Sequence, residues 1–366
     1  MYSDRIGRVR ELLREQGAAA AVFAPTDQMR YLTGWAESGH ERFLALLVPA
    51  EADPVFVVPA LNAPQARRNP AGIHDVVGWA DETGWESAVR KLFRRWKVNR
   101  AGLVVDDELD SVHLLGLQSI APRARCSAAG RLMQNLREIK SADELARLQR
   151  SAELTDCVYE EALCQVRQGM TEEELQDVVA QAYKARGTRP AFAIVCFGRN
   201  SAVPHHHSGP ARLKRGDVVI LDIGCTVEDY YSDITRTFAF GKANPKAAEV
   251  YDIVYRAHMA ALEFGRPGVT GEQVDAAARG VIERAGYGKY FIHRTGHGIG
   301  LSGHEPPNIV KGNTQPLRPG MCFSDEPGIY LPGRFGVRIE NVVTVTETGL
   351  RSLNAAPPAA LPIVKA

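Results

Sequence analysis

Four carboxylates and one imidazole in the second half of the chain fall into a repeated pattern whose natural chemistry is metal-assisted hydrolysis. The segment Arg215–Gly224 (RGDVVILDIG) parallels Pro319–Gly328 (PGMCFSDEPG). Each holds a glycine turn, a short apolar strand and an acid six residues after the first glycine, Asp222 in one and Glu326 in the other. A second strand-like run follows each, carrying Asp233 in SDITRTF and Glu340 in VRIEN. With His297 of GHGIG these residues cannot share a buried cleft uncompensated, because burial and mutual repulsion would force several carboxyls to keep their protons. Divalent cations remove the conflict, and an oxygen-rich set with one imidazole suits Mn(II), Co(II), Fe(II) or Zn(II). Two such ions bridged by carboxylates supply a hydrolytic nucleophile near neutral pH.

Three histidine positions bear on this chemistry, His297 and two more. His297 stands between glycines that permit close backbone approach, as a crowded metal site needs. A lone histidine in a glycine run is otherwise structural; the recurring acids favour the ligand. His205 and His304 are matched across the repeat and are expected to donate to a developing oxyanion. A surface run of three histidines is the plain alternative for His205, and His206 and His207 are expected to face solvent or to pack.

Such residues need matched scaffolds to position them. Gly169–Thr171 (GMT), a helical stretch and Ala185–Gly187 (ARG) recur as Gly268–Thr270 (GVT), a helical stretch and Arg284–Gly286 (RAG). The offset is 99 at both ends (268 − 169 and 286 − 187). Thr171 and Thr270 are good N-caps, and a glycine closes each helix. The same offset sets Phe192 on Phe291 and His205 on His304. Two related α/β halves facing each other across a pseudo-twofold axis are expected, with the acids converging where the halves meet.

Residues 1–125 alternate helical and strand patterns and predict a separate α/β layer domain without a catalytic grouping. Ile6–Gln16 has helical spacing, and Ala19–Phe23, Phe43–Pro49, Pro54–Val58 and Leu103–Val105 read as strands. A linker is expected over 126–140, and Ser141–Glu144 (SADE) is the capping box that opens the second domain, 141–366.

Composition narrows the class. At 366 residues two domains are expected, with a core large enough to need no staples. A formal charge of +1 gives no reason to expect nucleic acid or an anionic membrane as partner. No apolar run is long enough to span a bilayer, and the polar start followed by an amphipathic helix is not a signal peptide. Six scattered cysteines without a CxxC pair read as reduced, mostly buried thiols of a soluble cytoplasmic protein.

In order, LDIG, SDITRTF, GHGIG, HE, EPGIY and RIE resemble the pita-bread metallopeptidases, a family that includes methionine aminopeptidase, prolidase, aminopeptidase P and creatinase. The resemblance covers about residues 130–366. Met29–Gly34 (MRYLTG) makes the first domain similar to the N-terminal domain of the creatinase/prolidase branch. It implies that Asp222 chelates one metal, that Asp233 and Glu340 bridge both, and that His297 and Glu326 complete the other metal's shell. Glu326 would also shuttle the proton, His205 and His304 stand where family histidines act near the scissile bond, and Arg338 matches a family arginine near the metals. Two divalent ions are implied, Mn(II) first, with Co(II) or Zn(II) as alternatives. Members of this branch cut the bond preceding proline, so proline-containing peptides are the expected partners and a homodimer the expected assembly.

Two departures from the family pattern matter. Prolidases of this size that prefer dipeptides carry an arginine shortly after the HE motif to read the free carboxylate, but here Asn308 stands there. An amide cannot supply a bidentate charged pair. The expectation therefore leans to aminopeptidase P-like activity, releasing the residue before proline from longer peptides. Xaa-Pro dipeptidase (prolidase) is the alternative, with Arg334, Lys311 or a first-domain arginine as replacement clamp. The full ligand set argues against a creatinase-like amidinohydrolase and, with the absence of basic extensions, against a non-catalytic pita-bread binding protein. The second departure is Asp325, directly before Glu326 where family members often have an apolar residue; strand alternation predicts that it points away from the metals.

Overall fold

A computed structural model describes residues 1–365, and the chain forms two compact units, Met1–Arg137 and Glu138–Ala366. The first is built on a six-stranded mixed sheet of β1 (Ala18–Phe23), β2 (Ala45–Pro49), β3 (Val55–Pro59), β4 (Val76–Trp79), β5 (Gly102–Val105) and β6 (Arg125–Ala128). The order is β4-β3-β2-β1-β5-β6, with β1–β2 and β2–β3 antiparallel and the other pairs parallel. Strands β2 and β3 are buried along their whole length and read as unbroken apolar runs, as strands covered on both faces do. The helices are α1 (Tyr2–Glu15), α2 (Asp27–Thr33), α3 (Ala63–Ala66), α4 (Glu86–Arg95), α5 (Ser111–Ile120) and α6 (Gly130–Arg137). Helix α1 buries Ile6, Val9, Leu12 and Leu13, the spacing of a single apolar face. Thr26 caps the start of α2 and Gly34 closes it in the left-handed region.

The stretch expected as a linker holds regular structure instead. Strand β6 adds to the sheet edge beside β5, and α6 follows it within the first unit. Its residues, Arg125-Cys-Ser-Ala, are mostly exposed, so this edge strand carries no apolar alternation to announce it.

The second unit opens with α7 (Ala142–Gln165), capped as predicted: Ser141 Oγ accepts from the Glu144 N–H, and the Glu144 carboxylate accepts from the Ser141 N–H. Then come α8 (Glu172–Ala185), β7 (Pro190–Phe197), β8 (Val218–Val227), β9 (Tyr230–Tyr231) and β10 (Ile234–Phe240). The second half follows with α9 (Pro245–Phe264), α10 (Gly271–Arg284), β11 (Gly296–Gly298), β12 (Glu305–Ile309) and β13 (Cys322–Asp325). It ends with β14 (Gly328–Leu331), β15 (Phe335–Arg338), β16 (Asn341–Val345), β17 (Leu350–Ser352) and β18 (Ile363–Val364). One sheet runs β18-β10-β8-β7, with β9 on β8; the other runs β12-β11-β13-β16-β17; β14 and β15 form a hairpin.

The 99-residue offset is visible in the packing. Capping boxes at Thr171/Glu174 and Thr270/Gln273 start α8 and α10. Leu175, Val179 and Tyr183 form the buried face of α8, and Val274, Ala278 and Ile282 form the matching face of α10. Each face packs into the core of its own half. Burying one such large side chain contributes about 1.5–3 kcal/mol, so these two cores support the walls of the site. An antiparallel bridge between Thr235 and Glu340 links the halves.

No helix among the described residues is long and apolar enough to cross a membrane. All six cysteines are free; Cys196, Cys225 and Cys322 are buried, Cys126 is half-buried, and Cys157 and Cys164 are exposed, so the expected burial holds for only half of them.

Candidate metal centre

Each acid is placed by a strand that carries or adjoins it. Strand β8 is buried over Val218–Cys225 and paired on both sides, so Asp222 sits mid-sheet, opposite Ile194 of β7 and Thr235 of β10. Asp233 stands one residue before β10 and Glu340 one before β16, and the Thr235–Glu340 bridge joins those strand starts. Glu326 directly follows β13, its N–H donating to the Thr295 carbonyl at 2.8 Å. His297 is the centre of β11. A Cβ on Gly296 would collide with the Ser324 carbonyl and one on Gly298 with the Pro306 backbone, so the strand spacing itself requires glycine on both sides of His297.

Ligand atoms of Asp233, His297 and Glu340, all three residues buried, lie within 4.8 Å of one another. His297 Nε2 is 3.7 Å from Asp233 Oδ2 and 3.5 Å from Glu326 Oε1, too far for good hydrogen bonds and near enough to share an ion. Its Nδ1 faces the Gly298 carbonyl at 3.1 Å. A carbonyl only accepts, so Nδ1 carries the proton and Nε2 keeps its lone pair. Ser324 Oγ accepts from the His297 N–H at 3.0 Å and donates to Glu326 Oε1 at 3.1 Å. Thr235 Oγ1 donates to Glu340 Oε2 at 2.6 Å and accepts from Arg338 Nε at 3.0 Å. Asp222 is turned to Arg338, and its other oxygen is buried without a hydrogen-bond partner.

The electrostatics describe a site short of positive charge. Burial, followed by the neighbouring carboxylates, pushes Asp233 and Glu340 well above the ordinary carboxyl range. Burial pushes Glu326 up to about 7, with Arg338 opposing and Asp222 reinforcing. Burial, then His304, pushes His297 down to about 3, which keeps its imidazole neutral. Crowded carboxyls, an orphaned carboxylate oxygen and a neutral imidazole with its lone pair turned towards acids fit divalent cations.

All the residues expected at the site line one cavity of about 680 Å³: the five candidate ligands together with His205, His304 and Arg338. His205 and His304 are exposed there, and the His304 ring stacks on His297 with centroids 3.8 Å apart. Arg338 also donates from Nη1 to the Tyr330 hydroxyl at 2.7 Å. Asp325 points away from this cluster, as strand alternation predicted, and is fully buried with Oδ2 3.0 Å from His258 Nδ1 of α9. His206 bonds through Nε2 to Glu172 Oε2 at 2.8 Å, and buried Glu172 also accepts from the Phe197 and Gly209 N–H groups, tying down the segment that carries His205.

Two titratable cavity-lining residues escaped the sequence reading, His293 and Arg294. His293 Nε2 lies 2.9 Å from the Tyr330 hydroxyl, and burial pushes this imidazole down to about 4. The repeat could not reveal either residue, because the 99-residue offset sets them on Ile194 and Val195.

A duplicated α/β fold with an acid-rich, imidazole-bearing cavity where its halves meet defines a metal-dependent hydrolase. The chain belongs to metallopeptidase family M24, whose profile matches residues 146–347, and the creatinase/prolidase N-terminal domain matches residues 5–139. A putative dipeptidase of Bacillus subtilis, YkvY, is 38% identical, covering 97% of this chain and 98% of its own. The crystal structure of dipeptidase PepE from Mycobacterium ulcerans is similar with a TM-score of 0.94 at 39% identity, covering 99% of this chain and 98% of that one. A prolidase from Thermococcus sibiricus gives 0.93 at 33% identity, covering 99% of both chains.

Proposed function

We propose that this protein is a dinuclear-metal Xaa-Pro dipeptidase, a prolidase hydrolysing the bond that precedes proline. The observation that carries the reading is the convergence of Asp222, Asp233, His297, Glu326 and Glu340 on one cavity, with His205, His304 and Arg338 around them. Two similar proteins named dipeptidases and one named prolidase, each matched along nearly the whole chain, support dipeptides over longer substrates. The aminopeptidase P-like activity favoured by Asn308 becomes the second reading.

In this reading the five residues hold two divalent ions, Mn(II) before Co(II) or Zn(II), which when bound polarise the scissile carbonyl and lower the pKa of the attacking water. Glu326 moves the proton. Its Oε1 is held by Ser324 Oγ, and its other oxygen has no hydrogen-bond partner among the described residues. It takes a proton from the water and delivers it to the prolyl nitrogen, which bears no hydrogen in the peptide bond and needs one to leave as an amine. His205 and His304 donate to the charge developing on the carbonyl oxygen. Phe192, Ile194, Val203 and Ile292 supply an apolar wall for the proline ring.

The test compares Leu-Pro with Leu-Pro-Gly on metal-depleted protein reloaded with Mn(II), Co(II) or Zn(II). Faster dipeptide hydrolysis, abolished by a chelator, is the expected result. A tripeptide preference restores the second reading, and no proline-dependent turnover with any metal sinks both. Light scattering on the same sample tests the homodimer.

A further inference from the structure

Arg294 is a charged group that the metal centre does not use. It lies three residues before His297, is half-buried, and lines the same cavity as His304 and Glu326. Among the described residues no carboxylate lies within ion-pairing distance of it. Its Nη1 donates to Asn308 Oδ1 at 2.6 Å. That bond orients the guanidinium without neutralising it, since an amide oxygen accepts a hydrogen bond but brings no charge. Asn308 is itself anchored, its backbone carbonyl accepting from Asn313 Nδ2 at 2.6 Å. The other arginine lining the cavity, Arg338, is committed to Asp222, Thr235 and Tyr330.

A guanidinium on the cavity wall, bonded at an exposed position to Asn308 and with further N–H groups uncommitted, matches a planar anion, and a carboxylate fits its fork in bidentate fashion. Lys311 and Arg334, the second-unit replacements suggested by the sequence, do not line the cavity. We propose that Arg294, aimed by Asn308, binds the free carboxylate of the substrate's C-terminal proline and so selects dipeptides, an assignment that rests on the dipeptidase reading. The side chain that reads the carboxylate then comes from the segment before β11, which pairs with β12, and bonds to position 308 across that pairing. Asn308 therefore does not mark the loss of the clamp. A longer peptide would bring an uncharged amide to this guanidinium and leave its charge uncompensated.

Steady-state kinetics on the Mn(II)-loaded full chain test this, using Leu-Pro and its amide Leu-Pro-NH2, which differ only in the charge at the C-terminus. Arg294→Met should raise KM for Leu-Pro about 10- to 100-fold with little change in kcat, and leave the amide's kinetics unaltered. Arg294→Lys, which keeps the charge and loses the fork, should show a smaller rise of the same kind. Asn308→Asp, which neutralises the guanidinium, should also raise KM for the dipeptide. Arg294→Met combined with Asn308→Arg should recover part of the lost affinity. Equal losses on dipeptide and amide, or an unchanged KM, overturn the assignment. Wild-type protein that cleaves the amide as well as Leu-Pro overturns the dipeptidase reading itself, before any variant is compared.

Discussion

Arg338 donates from Nη2 to Asp222 Oδ2 at 2.5 Å, and this one fully committed cation is buried among the four acids of the site. It partly offsets their charge when no metal is bound. Removing one partner of a buried ion pair leaves an uncompensated charge and costs about 3–5 kcal/mol. Arg338→Met should therefore melt well below the wild type in the presence of a chelator. The rise in melting temperature on adding Mn(II) should be larger in the variant, because the ions then offset more of the charge. An equal rise in both proteins would show that Arg338 does not share that task.

Glu326 is the residue whose loss should separate chemistry from binding. Glu326→Gln keeps a ligand oxygen and the bond to Ser324 Oγ but cannot carry the proton. The expected outcome is a fall in kcat of about 100- to 10,000-fold with part of the metal affinity retained, read by calorimetric titration of the metal. Near-normal turnover would remove Glu326 from the proton path.

How far the sequence reached follows from what repeats in it. Asp222 and Glu326 were legible because each closes the same glycine-and-apolar-strand pattern, and the helices before them share one offset. Asp233 and Glu340 followed as acids of the next strand. Arg338 has no such partner, and it entered only through family resemblance. His293 and Arg294 stayed hidden because their repeat mates are apolar, so this asymmetry in the cavity wall leaves no periodic trace. Strand β6 was lost for a different reason: an exposed edge strand need not alternate. The partner of Asp325 could not be foreseen, since His258 lies 67 residues away on another element and nothing local links them.

That pair makes the third prediction. Asp325 and His258 are both fully buried, His258 Nδ1 lying 3.0 Å from Asp325 Oδ2 and 3.2 Å from the Asp325 carbonyl, which takes its hydrogen bond; burial raises the Asp325 pKa while His258 opposes the rise. His258→Leu should cost about 3 kcal/mol or more by stranding the carboxyl. The double variant His258→Leu/Asp325→Leu should recover much of that loss, because an apolar pair of suitable size replaces a buried polar pair at little cost. Additive losses in the thermal melts would mean that the two residues do not act as a pair.

The last prediction concerns the first unit and pH. Asp106 accepts from the Thr26 hydroxyl at 2.7 Å and from the Glu108 N–H at 3.0 Å, yet burial raises its carboxyl to about 6 against those two bonds. The folded state therefore holds the proton more tightly than the unfolded chain. Between about pH 4 and pH 6 the stability contributed by this carboxyl falls as pH rises, and that loss is complete above pH 6. About two pKa units correspond to about 3 kcal/mol at most. Asp106→Asn mimics the protonated form: its oxygen can still accept from Glu108 N–H, and its amide can donate to Thr26 Oγ1, which has a lone pair beyond the one taken by the Gln28 N–H. The variant should match the wild type near pH 4 and exceed it in stability at pH 7. Carbon NMR of the Asp106 carboxyl should show a midpoint near 6 in the wild type. A midpoint near the ordinary value, or a stability gap that does not grow with pH, would show that water reaches this carboxyl.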